Sequence, residues 1–138
     1  MQVKEVMSKH PDALSEDMTL KQAAEEMQKQ DFGFLPVKHN GQIVGVVTDR
    51  DLVIRALAKG QDPNKTKLKD AMTNKILFCH EEDELNKAAQ IMCDKQIHRL
   101  AVYDKQNQFT GVISIGDIAR KAKDSTLLAK LTEAIHQK

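Results

Sequence analysis

Apolar residues follow the period of an α-helix in two stretches of the chain. Residues 20–27 read Leu-x-x-Ala-Ala-x-x-Met, and residues 85–92 repeat that pattern. Residues at these spacings share one face of a helix, so each stretch predicts an amphipathic helix that packs inward. Thr19 precedes the first helix and Gln22 follows three residues later, which predicts a capping box at its start.

Two short runs rich in aliphatic and β-branched residues follow each predicted helix. In the first half they span residues 34–38 and 43–48 and are joined through Asn40-Gly41. Asn-Gly tolerates the positive φ angles of a type I′ turn, so the two runs predict a hairpin. We expect a second helix from about Asp49 and a short opening strand before the first helix. Each half therefore predicts the order β-α-β-β-α.

The two halves also repeat one another residue by residue. Val3-Lys-Glu-Val-Met7 is repeated as Leu68-Lys-Asp-Ala-Met72, 65 residues further along the chain. Gly45–Asp51 is repeated as Gly111–Asp117, 66 residues further along. The second copy thus has one extra residue in its hairpin turn. We divide the chain into copy 1 (1–60), a linker (61–67), copy 2 (68–123) and a helical tail (124–138). The fold class is α/β (α+β), and we expect the copies to pack around a pseudo-two-fold axis.

Composition narrows the classes of function. With 138 residues, 41% hydrophobic and 30% charged, the chain can bury a core without disulfides or metal. Its 21 basic and 20 acidic side chains nearly cancel, which argues against direct binding to nucleic acid or an anionic membrane. The chain has no apolar run near the roughly 20 residues of a membrane span and no signal-peptide pattern at its start, so we expect a cytoplasmic protein. The two cysteines lie outside any C-x-x-C or metal-binding spacing, which predicts reduced thiols.

The richest chemical pattern is Gly-h-h-Thr/Ser-x-x-Asp, where h is an apolar residue, and it occurs in both copies. A strand that ends on a hydroxyl and leads directly into a helix brings free backbone N–H groups to one small volume, which suits phosphate. Thr48 and Ser114 can donate to a phosphate oxygen, and Asp51 and Asp117 can accept from ribose hydroxyls. Arg50 adds a guanidinium that could pair with phosphate.

A simpler interpretation is that Thr48, Asp49 and Ser114 only cap helices, as such residues often do. The recurrence of both the hydroxyl and the aspartate at equivalent positions favours a shared ligand-binding role.

Together with the strands Leu35-Pro-Val37 and Leu100-Ala-Val102, the duplicated pattern and the order of elements make the chain resemble a tandem pair of CBS domains, also called a Bateman module. The resemblance implies a regulatory ligand, AMP, ADP or ATP, with NAD or S-adenosylmethionine less favoured. It places the ligand in two clefts between the copies and implies no catalytic cofactor and no metal.

The resemblance also implies roles for individual residues. Asp51 and Asp117 would hold ribose, while Thr48 and Ser114 would face phosphate. A strand like Ile97–Val102 aims a His-Arg pair at phosphate in nucleotide-sensing members of the family, which assigns that role to His98 and Arg99. The residues expected near adenine are Ala13, Leu14, Phe78 and Cys79.

Three classes of function follow from these features. The first is a nucleotide-sensing regulatory module, expected to be a homodimer, that signals by conformational change to an unidentified protein partner. The second is a ligand-free scaffold of the same fold that serves dimerisation or protein interaction. The third, a small enzyme, is disfavoured because no nucleophile, base and metal set converges.

Overall fold

The computed structural model describes residues 1–9 and 12–135, so the last three residues of the predicted tail lie outside the described residues. The strands are β1 (Ser8–Lys9), β2 (Leu14–Ser15), β3 (Phe34–His39), β4 (Gln42–Thr48), β5 (Phe78–His80), β6 (Arg99–Tyr103) and β7 (Phe109–Ser114). The α-helices are α1 (Leu20–Gln30), α2 (Leu85–Lys95), α3 (Ile115–Asp117) and α4 (Ser125–Ile135). In the described part of the chain, π-helical segments span Asp51–Leu57 and Ile118–Ala122, and 3-10 turns span Val3–Glu5 and Leu68–Asp70. The mixed α/β class with a C-terminal helix is confirmed.

The helix predicted from residue 20 begins as its sequence indicates. The backbone N–H of Gln22 donates to Thr19 Oγ1 at 3.2 Å, and the N–H of Thr19 donates to Gln22 Oε1 at 2.9 Å, which is the predicted capping box. The helix ends at Gln30, and the φ of 52° at the following Asp31 is left-handed. Its inward face buries the predicted apolar residues Leu20, Ala23 and Met27.

Both predicted hairpins form. Strands β3 and β4 pair antiparallel, with Asn40 and Gly41 at φ 49° and 78° in the turn, as a type I′ turn requires. Strands β6 and β7 pair in the same way around a longer turn, in which Asn107 has a φ of 60°. The short opening strands β2 and β5 run parallel to β3 and β6.

The chain folds into two compact units whose boundaries differ from those of the sequence repeats. One consists of Pro11–Ile76 and is called the copy 1 unit; the other joins Met1–His10 to Leu77–Lys138 and is called the copy 2 unit. The opening segments, Val3–Ser8 and Leu68–Thr73, are therefore exchanged: each belongs to the unit built on the other copy. Periodicity does not indicate this exchange, because it reports only local structure.

Matching backbone hydrogen bonds hold the two opening segments. The bonds are Val3 N to Asp83 O, Lys4 N to Glu81 O, Leu68 N to Met18 O and Lys69 N to Glu16 O, all between 2.8 and 3.0 Å. The two sets correspond position by position under the sequence repeat, since Val3 aligns with Leu68 and Asp83 aligns with Met18. The exchange therefore follows the sequence repeat.

The tail helix α4 belongs to the core of the copy 2 unit. Its buried residues Leu127, Leu131 and Ile135 join the cluster formed by α2 and the four-stranded sheet β1-β7-β6-β5. Helix α2 has an apolar residue, Ile91, that packs against this cluster. The equivalent residue in α1 is the charged Glu26. Full burial of a leucine side chain contributes about 2 kcal/mol. Among the described residues, no helix combines the length and apolar character needed to cross a membrane.

Candidate functional site

The first Gly-h-h-Thr-x-x-Asp stretch forms a tight corner between β4 and the helix that follows. The N–H of Asp51 donates to Thr48 Oγ1 at 3.0 Å, and the N–H of Thr48 donates to Asp51 Oδ2 at 3.0 Å. This reciprocal pair is a capping box, with aspartate in the place of the usual glutamate or glutamine. Asp51 is only 9% exposed.

The second stretch builds the same corner between β7 and α3. The N–H of Asp117 donates to Ser114 Oγ at 3.0 Å, the N–H of Ser114 donates to Asp117 Oδ2 at 3.0 Å, and Asp117 is 2% exposed. Both hydroxyls therefore cap helices, as the simpler interpretation expected. Capping uses a lone pair of the hydroxyl oxygen and not its hydrogen.

Each aspartate also accepts a hydroxyl hydrogen bond from an opening segment. Ser8 Oγ donates to Asp117 Oδ1 at 2.8 Å, and Thr73 Oγ1 lies 3.4 Å from both carboxylate oxygens of Asp51. These two hydroxyl residues were not predicted from the sequence. The sequence does contain a sign of them, since Met7 and Met72, which are equivalent in the two copies, are each followed by a hydroxyl residue.

Basic side chains of the following helices complete the environment of the aspartates. Arg120 Nη2 lies 2.7 Å from Asp117 Oδ1, and Arg55 Nε lies 3.7 Å from Asp51 Oδ1. Neither arginine was predicted from the sequence, because both follow the motif rather than lie within it.

Basic residues at equivalent positions also hold the opening segments. Arg55 Nη1 donates to the carbonyl oxygen of Met72 at 3.3 Å, and Lys121 Nζ donates to that of Met7 at 3.2 Å. Arg55 and Lys121 are aligned by the same offset that aligns the two motifs. Each corner thus binds an exchanged segment through two groups: the carbonyl oxygen of its methionine and the hydroxyl of the residue that follows.

The glycine of each motif makes room for the exchanged segment. A Cβ on Gly45 would lie 2.7 Å from the carbonyl oxygen of Thr73, and one on Gly111 would lie 2.6 Å from that of Ser8. Any larger residue would force the two backbones apart. The duplicated motif therefore has a structural role in each of its three fixed positions.

His98 and Arg99 lie beside the second corner. The N–H of Ile115 donates to the His98 carbonyl at 3.1 Å, and Arg99 pairs with Ser114 across β6 and β7. The side chain of His98 is exposed and that of Arg99 is half-buried.

The equivalent place in copy 1 is filled differently. A Cβ on Gly33 would lie 2.5 Å from Asp49 Oδ2, so the Asp49 carboxylate occupies the space that a side chain at this position would take. Arg50 follows Asp49 and its side chain is exposed.

The residues expected near adenine differ in their exposure to solvent. Leu14 and Cys79 are buried in the cores of their units, so they offer a ligand only backbone atoms. Burial raises the pKa of the Cys79 thiol to about 12, and nearby Asp83 adds to the rise. Ala13 is half-buried, whereas Phe78 is exposed and its ring lies edge-on to Tyr103 at 5.0 Å.

Metal chemistry has no candidate site in the part of the chain that the structure describes, where no group of three or more His, Cys, Asp or Glu side chains could hold an ion. The copy 2 unit has a cavity of about 490 Å³ lined by acidic and basic residues that include His80, Asp83 and Lys105. Neither corner contributes to its lining.

Comparison with known proteins agrees with this architecture. The CBS domain profile matches residues 3–57 and 68–124. The CBS domain-containing protein YhcV of Bacillus subtilis is 31% identical over 136 residues, which cover 98% of this chain and 96% of that protein.

Solved structures of CBS domain proteins share the fold. The CBS domain protein TA0289 of Thermoplasma acidophilum aligns with a TM-score of 0.88 at 19% identity, over 100% of this chain and 78% of its own. The CBS domain pair of protein MJ0100, solved in complex with 5′-methylthioadenosine and S-adenosyl-L-methionine, aligns with a TM-score of 0.76 at 27% identity, over 87% of this chain and 94% of its own. With two profile matches, a full-length relative and a shared fold, the chain belongs to the CBS domain family and consists of a tandem pair.

Proposed function

We propose that the chain is a regulatory module that binds an adenosine nucleotide at each corner, Thr48–Asp51 and Ser114–Asp117, and that it catalyses no reaction. The observation that carries the proposal is a buried carboxylate placed in the same way twice, at Asp51 and Asp117. Each carboxylate already accepts hydrogen bonds within its own unit, and the two hydroxyls of ribose are donors of the same kind.

The hydroxyl partners of the aspartates support ribose as the group they bind. Ser8 already donates to Asp117 and Thr73 already approaches Asp51. A ribose hydroxyl has the same donor chemistry, so it can replace these partners or share the remaining lone pairs while the capping boxes stay intact.

Related structures and nearby charges support the choice of ligand. The MJ0100 pair is in complex with two adenosine compounds, and this chain is 27% identical to it. Arg50 stands beside the first corner, and His98 with Arg99 beside the second. Guanidinium groups suit phosphate, so we propose AMP, ADP or ATP ahead of S-adenosylmethionine or NAD.

We propose that the ligand acts by shifting the module between conformations that a partner protein distinguishes. The π-helix of copy 1 leaves Val53, Ile54 and Leu57 each at least half exposed, and clustered apolar surface suits contact with another protein. A cytoplasmic homodimer is the form that we propose for the regulatory protein.

A second candidate function is a protein-interaction scaffold that binds no nucleotide. It is favoured by the structural partners that Thr48, Ser114, Asp51 and Asp117 already have within their own units. On this alternative, the duplicated motif serves only to cap its helices and to hold the exchanged segments by hydrogen bonds.

Calorimetric titration with AMP, ATP, NAD and S-adenosylmethionine tests the proposal. We expect AMP or ATP to bind, and Asp51→Asn and Asp117→Asn each to weaken binding at one corner by about tenfold or more, because a charge-assisted hydrogen bond is lost. Asparagine keeps the shape of the capping box. Glu25→Gln is the matched control, since it removes an exposed carboxylate of helix α1 that belongs to neither corner and should change affinity by less than about twofold.

Circular dichroism establishes that each variant is folded. A folded chain that gives no saturable heat with any of the four ligands would contradict nucleotide sensing and support the scaffold. Binding that both asparagine variants leave unchanged would contradict the assignment of the aspartates.

A further inference from the structure

The two motif aspartates are held unequally by the arginines that follow them. Arg120 Nη2 makes a 2.7 Å contact with Asp117 Oδ1, the length of a charge-assisted hydrogen bond. Arg55 Nε lies 3.7 Å from Asp51 Oδ1, beyond hydrogen-bond distance. The guanidinium contact at Asp117 is therefore the tighter of the two.

The hydroxyl contacts differ in the same direction. Ser8 reaches Asp117 at 2.8 Å, whereas Thr73 is 3.4 Å from each oxygen of Asp51. Oδ1 of Asp117 thus accepts bonds from Ser8 and Arg120, and Oδ2 accepts one from the backbone of Ser114. A carboxylate has about four acceptor positions, so about one is left for a ligand.

A rearrangement between the copies explains why the second corner has this contact. When the two motifs are aligned, Gly116 replaces Arg50 and Arg120 replaces Ile54, so the arginine has moved one helical turn along the chain. A Cβ on Gly116 would lie 3.0 Å from Arg120 Nη1. The glycine therefore leaves room for the guanidinium to fold back over the first turn and reach Asp117.

We propose that Arg120 is a built-in competitor for the Asp117 carboxylate, so that the adenosine ligand fills the Asp51 corner first. This inference rests on the proposed function. To accept from both ribose hydroxyls, Asp117 has to release Arg120 or Ser8. At Asp51 the 3.0 Å bond from the Thr48 N–H can stay, and only the long contacts of Arg55 and Thr73 compete with the ligand. The second corner then fills at a higher ligand concentration, so one chain can respond to the ligand over two ranges of concentration.

An NMR titration of the ¹⁵N-labelled full chain tests this order, with adenosine and AMP as separate probes. The amide of Gly45 reports the first corner and that of Gly111 the second. In the wild-type chain, Gly45 should reach its midpoint at the lower concentration. In Arg120→Gln, the Gly111 midpoint with adenosine should fall about five- to tenfold while the Gly45 midpoint stays the same.

Adenosine has no phosphate, so a change in its binding cannot arise from lost attraction between Arg120 and the ligand's charge. Arg55→Gln is the matched control and should move the Gly45 midpoint by less than about twofold, because the Arg55 guanidinium lies 3.7 Å from Asp51, beyond hydrogen-bond distance. If the glutamine variant does not fold, Arg120→Lys should shift the Gly111 midpoint in the same direction by a smaller factor.

An unchanged or higher Gly111 midpoint in a folded Arg120 variant overturns the competitor role and leaves nucleotide binding standing. Weaker AMP binding with unchanged adenosine binding also overturns it, since Arg120 would then be a phosphate ligand. Failure of both amides to respond to either probe, in wild type and variants alike, overturns the proposed function and this inference with it.

Discussion

Ser8 Oγ donates a 2.8 Å hydrogen bond to Asp117 Oδ1, although 109 residues separate them in the chain. The bond joins an exchanged opening segment to a buried carboxylate that also caps a helix. Loss of the hydroxyl would leave the charged acceptor short of a donor in a buried place, which costs more than the bond itself contributes.

Ser8→Ala should therefore lower the free energy of unfolding by about 1 to 3 kcal/mol. Thr73→Ala should cost less, because its hydroxyl lies 3.4 Å from both oxygens of Asp51. Urea unfolding followed by circular dichroism measures both changes. Equal losses for the two variants would show that the distances do not rank these contacts.

Gly111→Ala should destabilise the copy 2 unit by about 1 to 3 kcal/mol or more, because the new methyl group would meet the Ser8 carbonyl oxygen at 2.6 Å. Gly45→Ala should have a similar effect through Thr73, at 2.7 Å. Thermal unfolding provides the measurement.

Gly41→Asn is the control for these glycine variants. Gly41 has a φ of 78°, a Cβ at this position would meet no other atom within 4 Å, and asparagine tolerates that backbone conformation. Its melting temperature should stay close to that of the wild type. A melting temperature of Gly111→Ala equal to that of the control would disprove the close approach of the two backbones.

The elements that could be predicted are those whose information is local. The period of residues 20–27 gives helix α1, and Asn40-Gly41 gives the first hairpin, because helix faces and tight turns depend on neighbouring residues. Strand β1 was not predicted: Ser8 and Lys9 pair with Val112 and Gly111, and no local pattern indicates a partner so distant in sequence.

In the candidate site, too, the contacts within a local motif could be predicted and the long-range contacts could not. The corners at Thr48–Asp51 and Ser114–Asp117 were predicted from a motif that occurs twice, and the structure brings their residues together. Ser8, Thr73 and Arg120 reach the aspartates only because the opening segments are exchanged or because a glycine leaves room. Such contacts depend on tertiary structure, so the sequence supports them only in retrospect.

The tail helix should contribute substantially to the stability of the copy 2 unit. Leu131→Ala removes a fully buried side chain and should cost about 2 to 5 kcal/mol, whereas Leu128→Ala, at a half-buried position, should cost less than half as much. Urea unfolding of the two variants compares them under identical conditions. A Leu131→Ala chain as stable as the wild type would show that α4 does not pack as described.

The two cysteines should react with a thiol reagent at different rates. Cys79 is buried and its pKa is raised to about 12, while Cys93 is half-buried. Since the thiolate is the reactive form, Cys93 should be labelled first and Cys79 only when the unit opens. In Cys93→Ser the fast phase of labelling should disappear, so that only the slow phase from Cys79 remains. A fast phase that persists in this variant would contradict the burial of Cys79.

The same thiol makes stability depend on alkaline pH. The folded state keeps the Cys79 proton up to a pKa of about 12, but the unfolded chain releases it near the ordinary value of 9.0, so the unfolded state gains stability as pH rises between these values. One such group lowers the free energy of unfolding by roughly 1 kcal/mol at pH 10. Lysine and tyrosine side chains titrate in the same range, so the comparison is with Cys79→Ala, measured by urea unfolding in reductant at pH 7.5 and 10. The wild-type chain should lose more stability between the two pH values than the alanine variant does, and equal losses would place the thiol in contact with water.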